Sequence, residues 1–330
     1  MRKLASIQKI RKIEPIPNAD RLELAHILGW KVVIKKGEFK EGDLVVYIEV
    51  DSVLPERPEF EFLSDYGFRI RTVKLRGQIS QGIAFPLSIL PRDKEYSVGE
   101  DVTEVLGITK YEPPIPIQLS GETKGPFPQF IPKTDEVRIQ TIPDILEKYN
   151  GESCYITEKV DGTSSTYYLK DNEFGVCSRN QNLEESETNL FWILANEMEI
   201  EDRLRKFGKN IAIQGEVLGP KVQNNKYKLD HHELFIFSIF DIDSQNYIQF
   251  EEFKVLSERL GFETVPILEE NYNLDDTVDK LVDMAEGKSS LNSQIPREGI
   301  IIRSKREIND PEYGRLSFKV LNPSFLLEFE

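Results

Sequence analysis

Apolar and polar positions alternate with a period near two over most of the first hundred residues, then with a mixture of that period and a helical one. Lys31-Val32-Val33-Ile34 and Leu44-Val45-Val46-Tyr47-Ile48-Glu49-Val50 read as strands, set apart by the turn residues Lys36-Gly37-Glu38 and Glu41-Gly42-Asp43. Short strands punctuated in this way over 4–106 predict a small β-barrel. Prolines then crowd the chain at Pro113, Pro114, Pro116, Pro126, Pro128 and Pro132, and proline both fixes φ and removes a backbone donor. A domain over 1–110, a linker over 111–126 and a second domain over 127–330 follow.

Helical periodicity enters in that second domain. Residues 141–149 predict a short helix with Thr141 as its cap, and 186–205 a longer one whose stripe is Leu190, Ile193, Leu194 and Met198. Two more are expected over 251–260 and 274–285, ending at Gly261 and Gly287. Strands are predicted at 153–157, 166–169, 175–178, 211–217, 234–240, 299–302 and 316–320. Antiparallel sheets flanked by helices accommodate this order, so the chain is expected to be α+β.

With 330 residues, 39% of them hydrophobic and 30% charged, two cores are affordable. A net charge of −15 excludes a basic coat for nucleic acid, so any such contact is local. One place inverts that balance. The stretch 68–76 carries Arg69, Arg71, Lys74 and Arg76 with no acid before Gln81, which favours a phosphate-backbone contact and equally fits a charged, solvated edge strand. Cys154 and Cys177 read as buried thiols in a reducing compartment. His26, His231 and His232 lack the spacing of a transition-metal site. No apolar run is long enough to cross a bilayer, and the expected location is cytoplasmic, or nuclear if the cell has a nucleus.

The chemistry converges on 155–165, Y-I-T-E-K-V-D-G-T-S-S. Lys159 sits at the mouth of an Asp161-Gly162 turn between two acids, Glu158 and Asp161. An ammonium with a pKa of about 10.4 cannot attack anything, so a nucleophilic role requires desolvation or a nearby cation to neutralise it. Downstream come Ser178-Arg179-Asn180, Gly215-Glu216-Val217-Leu218-Gly219, the aromatic run from Phe235 to Asp241, Arg297-Glu298-Gly299-Ile300-Ile301, and Phe318-Lys319-Val320.

This ordered set resembles the motifs of covalent nucleotidyltransferases, the superfamily of ATP-dependent DNA and RNA ligases and GTP-dependent capping enzymes. The resemblance implies that Lys159 attacks the α-phosphate of ATP and carries AMP, with Lys319 and Arg179 helping to neutralise the phosphates. It implies Mg2+ or Mn2+ held by Asp161, Glu216 and Glu298, in part through coordinated waters. Phe240 would stack on adenine, although a phenylalanine there also suits a strand core, and Glu158 would meet the base edge.

Asn18-Ala19-Asp20-Arg21-Leu22-Glu23 looks like the opening of OB modules attached to tRNA-binding proteins. Pro132-Lys133-Thr134-Asp135-Glu136-Val137-Arg138-Ile139-Gln140 resembles a run of nick-sealing RNA ligases, which implies a nucleotide contact for Arg138. Few residues follow Lys319, so the OB-like module is expected to precede the transferase domain, as in ATP-dependent RNA ligases with an amino-terminal OB domain. The resemblance implies RNA partners with 3′-OH and 5′-phosphate ends, at nicks, handled by a single chain without a membrane. A DNA or hybrid nick ligase, a capping guanylyltransferase and a non-catalytic RNA-binding protein are the alternatives. Lys319 stands without a second lysine after it, so one ammonium is expected to do the work of a pair.

Overall fold

The computed structural model describes residues 3–92, 94–112 and 122–329. The chain divides into two compact units, one from Met1–Pro113, Ile139–Pro143 and Pro323–Glu330, the other from Pro114–Arg138 and Asp144–Asn322. Most of the Pro-rich stretch, 113–121, lies outside the described residues. Its end is ordered: Thr123–Pro126 is a strand paired with Gln181–Leu183, so the part of the expected linker nearest the second domain belongs to that domain's sheet.

The first unit carries a five-stranded antiparallel sheet in the order Trp30–Lys35, Leu22–Ile27, Ala5–Pro15, Leu44–Ile48, Ile83–Pro86. The Ala5–Pro15 strand pairs with one neighbour over its first half and another over its second, with a bulge between Ile10 and Lys12. Such a bulge sharpens the coil that bends a sheet toward a barrel. Ile7, Ile27, Trp30, Val46, Ile48 and Phe60 fill the concave side. Two segments that sequence places in the second domain pack here instead. Gly29 N donates to the Gln140 carbonyl at 2.9 Å, and the Pro323–Phe329 helix buries Phe325 and Leu326 and lies near the Thr72–Leu75 strand.

The basic stretch departs from its expected form. Only Thr72–Leu75 is a strand, paired with Gln78–Gln81, because Phe68 and Arg76 take left-handed backbone with φ of 56° and 50°. Arg69 is therefore no phosphate contact: it turns inward to Asp51 at 3.0 Å, with its guanidinium 3.7 Å from the centre of the Tyr111 ring and its side chain 11% exposed. Asp51 lies in a turn far off in sequence, which is why the local charge pattern hides the pair. Arg71, Lys74 and Arg76 are exposed.

The second unit holds two antiparallel-rich sheets. Seven strands run in the order Thr123–Pro126, Gln181–Leu183, Glu173–Ser178, Thr163–Lys170, Ile211–Leu218, Glu233–Asp241, Asn246–Tyr247, and five in the order Val137–Arg138, Ser317–Leu321, Gly299–Ser304, Ser153–Lys159, Ile267–Asn273. The helices Leu190–Glu197, Ile200–Phe207 and Phe250–Leu260 pack on a core that includes Ile213, Ile236 and Ile239.

The single helix expected over 186–205 is two, because Glu199 takes a left-handed φ of 51° where the first stripe ends, and Ile200 and Leu204 start a new one. Likewise Pro143 interrupts 141–149, leaving the four-residue helix Ile145–Lys148 behind Asp144.

Gly175 faces Tyr168 across the sheet, and a Cβ there would stand 2.2 Å from the ring's Cζ. The ring cannot swing aside easily, since Phe130 packs edge-on at 5.4 Å and Asn182 Nδ2 donates to its hydroxyl at 3.2 Å. Gly175→Ala should therefore destabilise the second unit by about 1–3 kcal/mol, read as a lower melting temperature by calorimetry.

Candidate active site

Lys159 is the last residue of the Ser153–Lys159 strand, registered against Gly299. That register brings the preceding residue of the neighbouring strand, Glu298, alongside it, and Nζ donates to both carboxylate oxygens at 2.6 Å. Asn322, fully buried, fixes Glu298 from behind: its amide N donates to the Glu298 carbonyl and its Nδ2 to the Arg297 carbonyl, each at 2.9 Å. The turn after the lysine has a specific need for glycine. Gly162 does not use left-handed backbone; a Cβ there would meet Leu218 Cδ2 at 2.4 Å and the Val217 carbonyl oxygen at 2.5 Å, so the residue lets the lysine loop lie against the strand that carries Glu216. Asp161 pairs with Lys226, and its backbone N donates to the Tyr227 hydroxyl at 2.7 Å.

Burial disfavours the Lys159 ammonium, yet the carboxylates of Glu298 and Glu216 outweigh it and hold its pKa above the ordinary value. Burial, reinforced by the neighbouring charges of Glu298 and Asp161, lifts the Glu216 carboxyl from 4.5 to about 8, although Lys159 pulls it down. Glu298 is also raised, by burial first. The lysine is thus held in its inert, charged form by carboxylates that themselves have more negative charge than they can stabilise. A divalent ion suits such a donor set, since it would satisfy Asp161, Glu216 and Glu298 and remove the hold on the amine. Among the described residues no three acidic, cysteine or histidine side chains are drawn together as a ready-made inner coordination shell.

Beyond the lysine, Arg138, Lys319, Ile301 and Thr157 form one row across the five-stranded sheet. Thr157 precedes Lys159 by two positions, so this row lies on the lysine's face. Glu158 is almost fully buried; Oε2 accepts from Ser290 N at 2.7 Å, while Oε1, buried as well, has no hydrogen-bond partner among the described residues.

The aromatic strand corrects the sequence reading. Phe240 is 3% exposed, packed with Phe127, Ile131, Tyr168 and Ala212 and edge-on to Tyr247 at 5.1 Å, so it is a core residue that only borders the adjacent cleft. A register shift opposite Gln214 and Gly215 changes the parity of the Glu233–Asp241 strand, putting Phe235 on the same side as Phe240 instead of opposite it. Phe237, at that irregularity, is half-buried and lines a cleft of about 340 Å3 together with Gln214, Arg303 and Ser317.

The run 132–138 bridges the two sheets. Gln214 Nε2 donates to the Pro132 carbonyl at 2.8 Å, and the hydroxyls of Thr134 and Ser164 lie 2.7 Å apart. On the other side Glu136 pairs with Arg303 at 3.0 Å, and Val137–Arg138 extends the five-stranded sheet. Burial would raise the Glu136 carboxyl, but Arg303 and Arg315 together bring it below the usual range. Arg179 ion-pairs with Asp135 of the same run, and Lys133 donates to Asn180 Oδ1 at 3.1 Å.

Lys159, Asp161, Glu216, Glu298, Lys319 and Arg138 thus belong to one unit and one side of it, Glu158 projects from the alternate face of the lysine's strand, and Phe240 sits in the core. Sequence reading missed Lys226, Tyr227, Ser290 and Phe237. The first three come from loops without periodicity, and only the strand irregularity distinguishes Phe237 from its neighbours.

An OB-fold domain family matches residues 4–87 and the RNA ligase family matches residues 152–321. No curated protein matches the chain. Among solved structures, a Naegleria gruberi RNA ligase with PPi is 40% identical, with a TM-score of 0.92, over 99% of this chain and 98% of that one. A glutamate-to-alanine mutant of that ligase with ATP and Mn is 40% identical, with a TM-score of 0.92, over 98% of both chains. Another such mutant, with AMP and Mn, is 40% identical, with a TM-score of 0.91, again over 98% of both.

An acid whose pKa is raised on folding releases its proton earlier when unfolded, so stability falls as pH climbs from 4.5 to about 8. Glu216→Gln cannot ionise. In chelator-treated protein it should melt above the parent at pH values beyond 8 and with it near 4.5, as read from thermal unfolding across that range.

Proposed function

The chain belongs to the RNA ligase family, and from that premise we propose that it is an ATP-dependent ligase sealing 3′-OH and 5′-phosphate RNA ends at nicks, with Lys159 as the covalent AMP carrier. The observation that carries the reading is the close contact between Lys159 Nζ and Glu298, inside a cluster completed by Glu216 and Asp161.

In the first step Nζ gives up a proton, for which Glu298 is the hydrogen-bonded acceptor, and forms a bond to the α-phosphorus as the bond to pyrophosphate breaks. A 5′-phosphate oxygen of RNA then attacks that phosphorus and the N–P bond breaks. Finally the 3′-OH attacks the activated 5′-phosphorus and AMP departs. A divalent ion at Asp161, Glu216 and Glu298, Mg2+ or Mn2+, would supply positive charge that disfavours the ammonium and steadies the phosphate oxygens.

Lys319, on the lysine's own sheet face, adds a fixed cation, with Arg138 beside it in register toward the nucleotide. Glu158 Oε1, a buried acceptor, suits the amino group that adenine carries on its edge and guanine lacks at that position, which favours ATP over GTP. Phe237 supplies the stacking face. Arg179, Arg71, Lys74 and Arg76 are the cations offered to RNA phosphates, with Arg179 first released from Asp135.

Incubation with α-labelled ATP and Mn2+ should label the protein, and label persisting on Lys159→Ala would remove the assigned nucleophile. Nicked duplexes with RNA or DNA on the 3′-OH side decide the substrate: the 2′-OH is where the two differ, and equal sealing of both would favour the hybrid or DNA reading. Phe237→Ala should weaken ATP binding with the melting temperature little changed. Phe240→Ala should instead cost about 3–5 kcal/mol of stability, as for a large core deletion. Calorimetric titration and melting of the two variants separate these roles.

A further inference from the structure

The proposed reaction gives Lys226 no task, although its setting is built with care. It lies in the loop that follows the Glu216 strand, where Lys221, Gln223, Asn224, Asn225 and Lys228 take left-handed backbone with φ from 43° to 65°. Side-chain-bearing residues hold such conformations only when their surroundings impose them. Here Asn225 clips the loop, donating from Nδ2 to the Leu229 carbonyl at 2.9 Å and accepting on Oδ1 from Leu229 N at 3.1 Å. Asn292 Nδ2 donates to the carbonyl of Lys226 itself at 2.9 Å, and the next residue, Tyr227, receives the Asp161 amide. The outcome is an ammonium aimed at Asp161 Oδ2, with side chains only 12% and 17% exposed.

The charges around Lys159 explain what such a cation could do. Lys159 and Lys319 both act on Glu298, and Lys226 adds a further ammonium, in contact with Asp161. We propose that Lys226 is a resident cation of the phosphate-transfer site. It neutralises Asp161 in the nucleotide-free enzyme and yields that carboxylate when a divalent ion arrives, so it acts as a positioning residue that sets how readily metal loads. One carboxylate cannot serve both at close range without bringing two cations together. The strained, side-chain-clipped loop fits a partner that must let go without the fold unravelling. The inference rests on Asp161 facing the metal.

The test is Mn2+ binding to the nucleotide-free, full-length protein, followed through the electron paramagnetic resonance of free Mn2+. Lys226→Met, which removes the competitor, should bind Mn2+ roughly fivefold tighter. Lys226→Arg, whose guanidinium grips a carboxylate through two donors, should bind it more weakly than the parent. In an Asp161→Asn background the methionine substitution should change nothing further. A mere strut would give the opposite pattern, Met weaker and Arg unchanged, and that result overturns the proposal while Asp161→Asn still weakens binding. If Asp161→Asn leaves Mn2+ affinity unchanged, the metal reading fails and takes this inference with it. Should the methionine protein not fold, arginine binding Mn2+ as well as the parent does is sufficient to reject the proposal.

Discussion

The site depends on a single contact, the clasp of Lys159 Nζ by both oxygens of Glu298. It exists because Gly299 registers against Lys159 and because Asn322 holds the backbone of Glu298 and Arg297 from the other side. The same contact sets the resting chemistry. A lysine so placed stays charged and unreactive, and its carboxylate neighbours, crowded in a buried setting, are left wanting positive charge. Reactivity is therefore conditional. The geometry holds the amine charged, and its deprotonation depends on what positive charge joins the carboxylates around it.

The architecture around this contact divides labour between two sheets. One ends in Lys159, Glu298 and Lys319; the other presents Glu216, Gln214 and the aromatic strand. Gly162 allows the loop from the first to lie against a strand of the second, so the motif's glycine serves close approach more than turning. Glu158, adjacent to Lys159, stands apart from both: its carboxylate is buried, with one oxygen held by Ser290 N and the other unsatisfied among the described residues.

Much of this was readable from the residues because strands that carry chemistry at their ends have strong local signals. Apolar runs placed seven of the twelve strands in the two sheets of the second unit, and the short acidic and basic motifs fell within or beside them; Thr123–Pro126, Val137–Arg138, Gln181–Leu183, Asn246–Tyr247 and Ile267–Asn273 are short or polar and carry no such run. What escaped did so for identifiable reasons. The Arg69 pair depends on Asp51, which no local window connects to it. The resemblance points to Phe240, and the irregularity beside Gly215, which leaves Phe237 half-buried and Phe240 in the core, leaves no mark in the sequence. The helix over 186–205 was read as continuous because one left-handed residue, Glu199, leaves no mark in hydrophobic periodicity. Lys226 and Ser290 act from irregular loops, where sequence offers polarity but no geometry.

The run 132–138 carries a consequence for how the cleft holds its width. It is one covalent thread fastened to both sheets at several points, through Gln214 and Ser164 on one and Arg303 and the Ser317–Leu321 strand on the other. When any one fastening opens, the rest keep its partners at a high effective concentration, so reclosure is an intramolecular event. The gap between the sheets is thereby buffered against the loss of any one of these contacts, since the remaining fastenings hold the run in place.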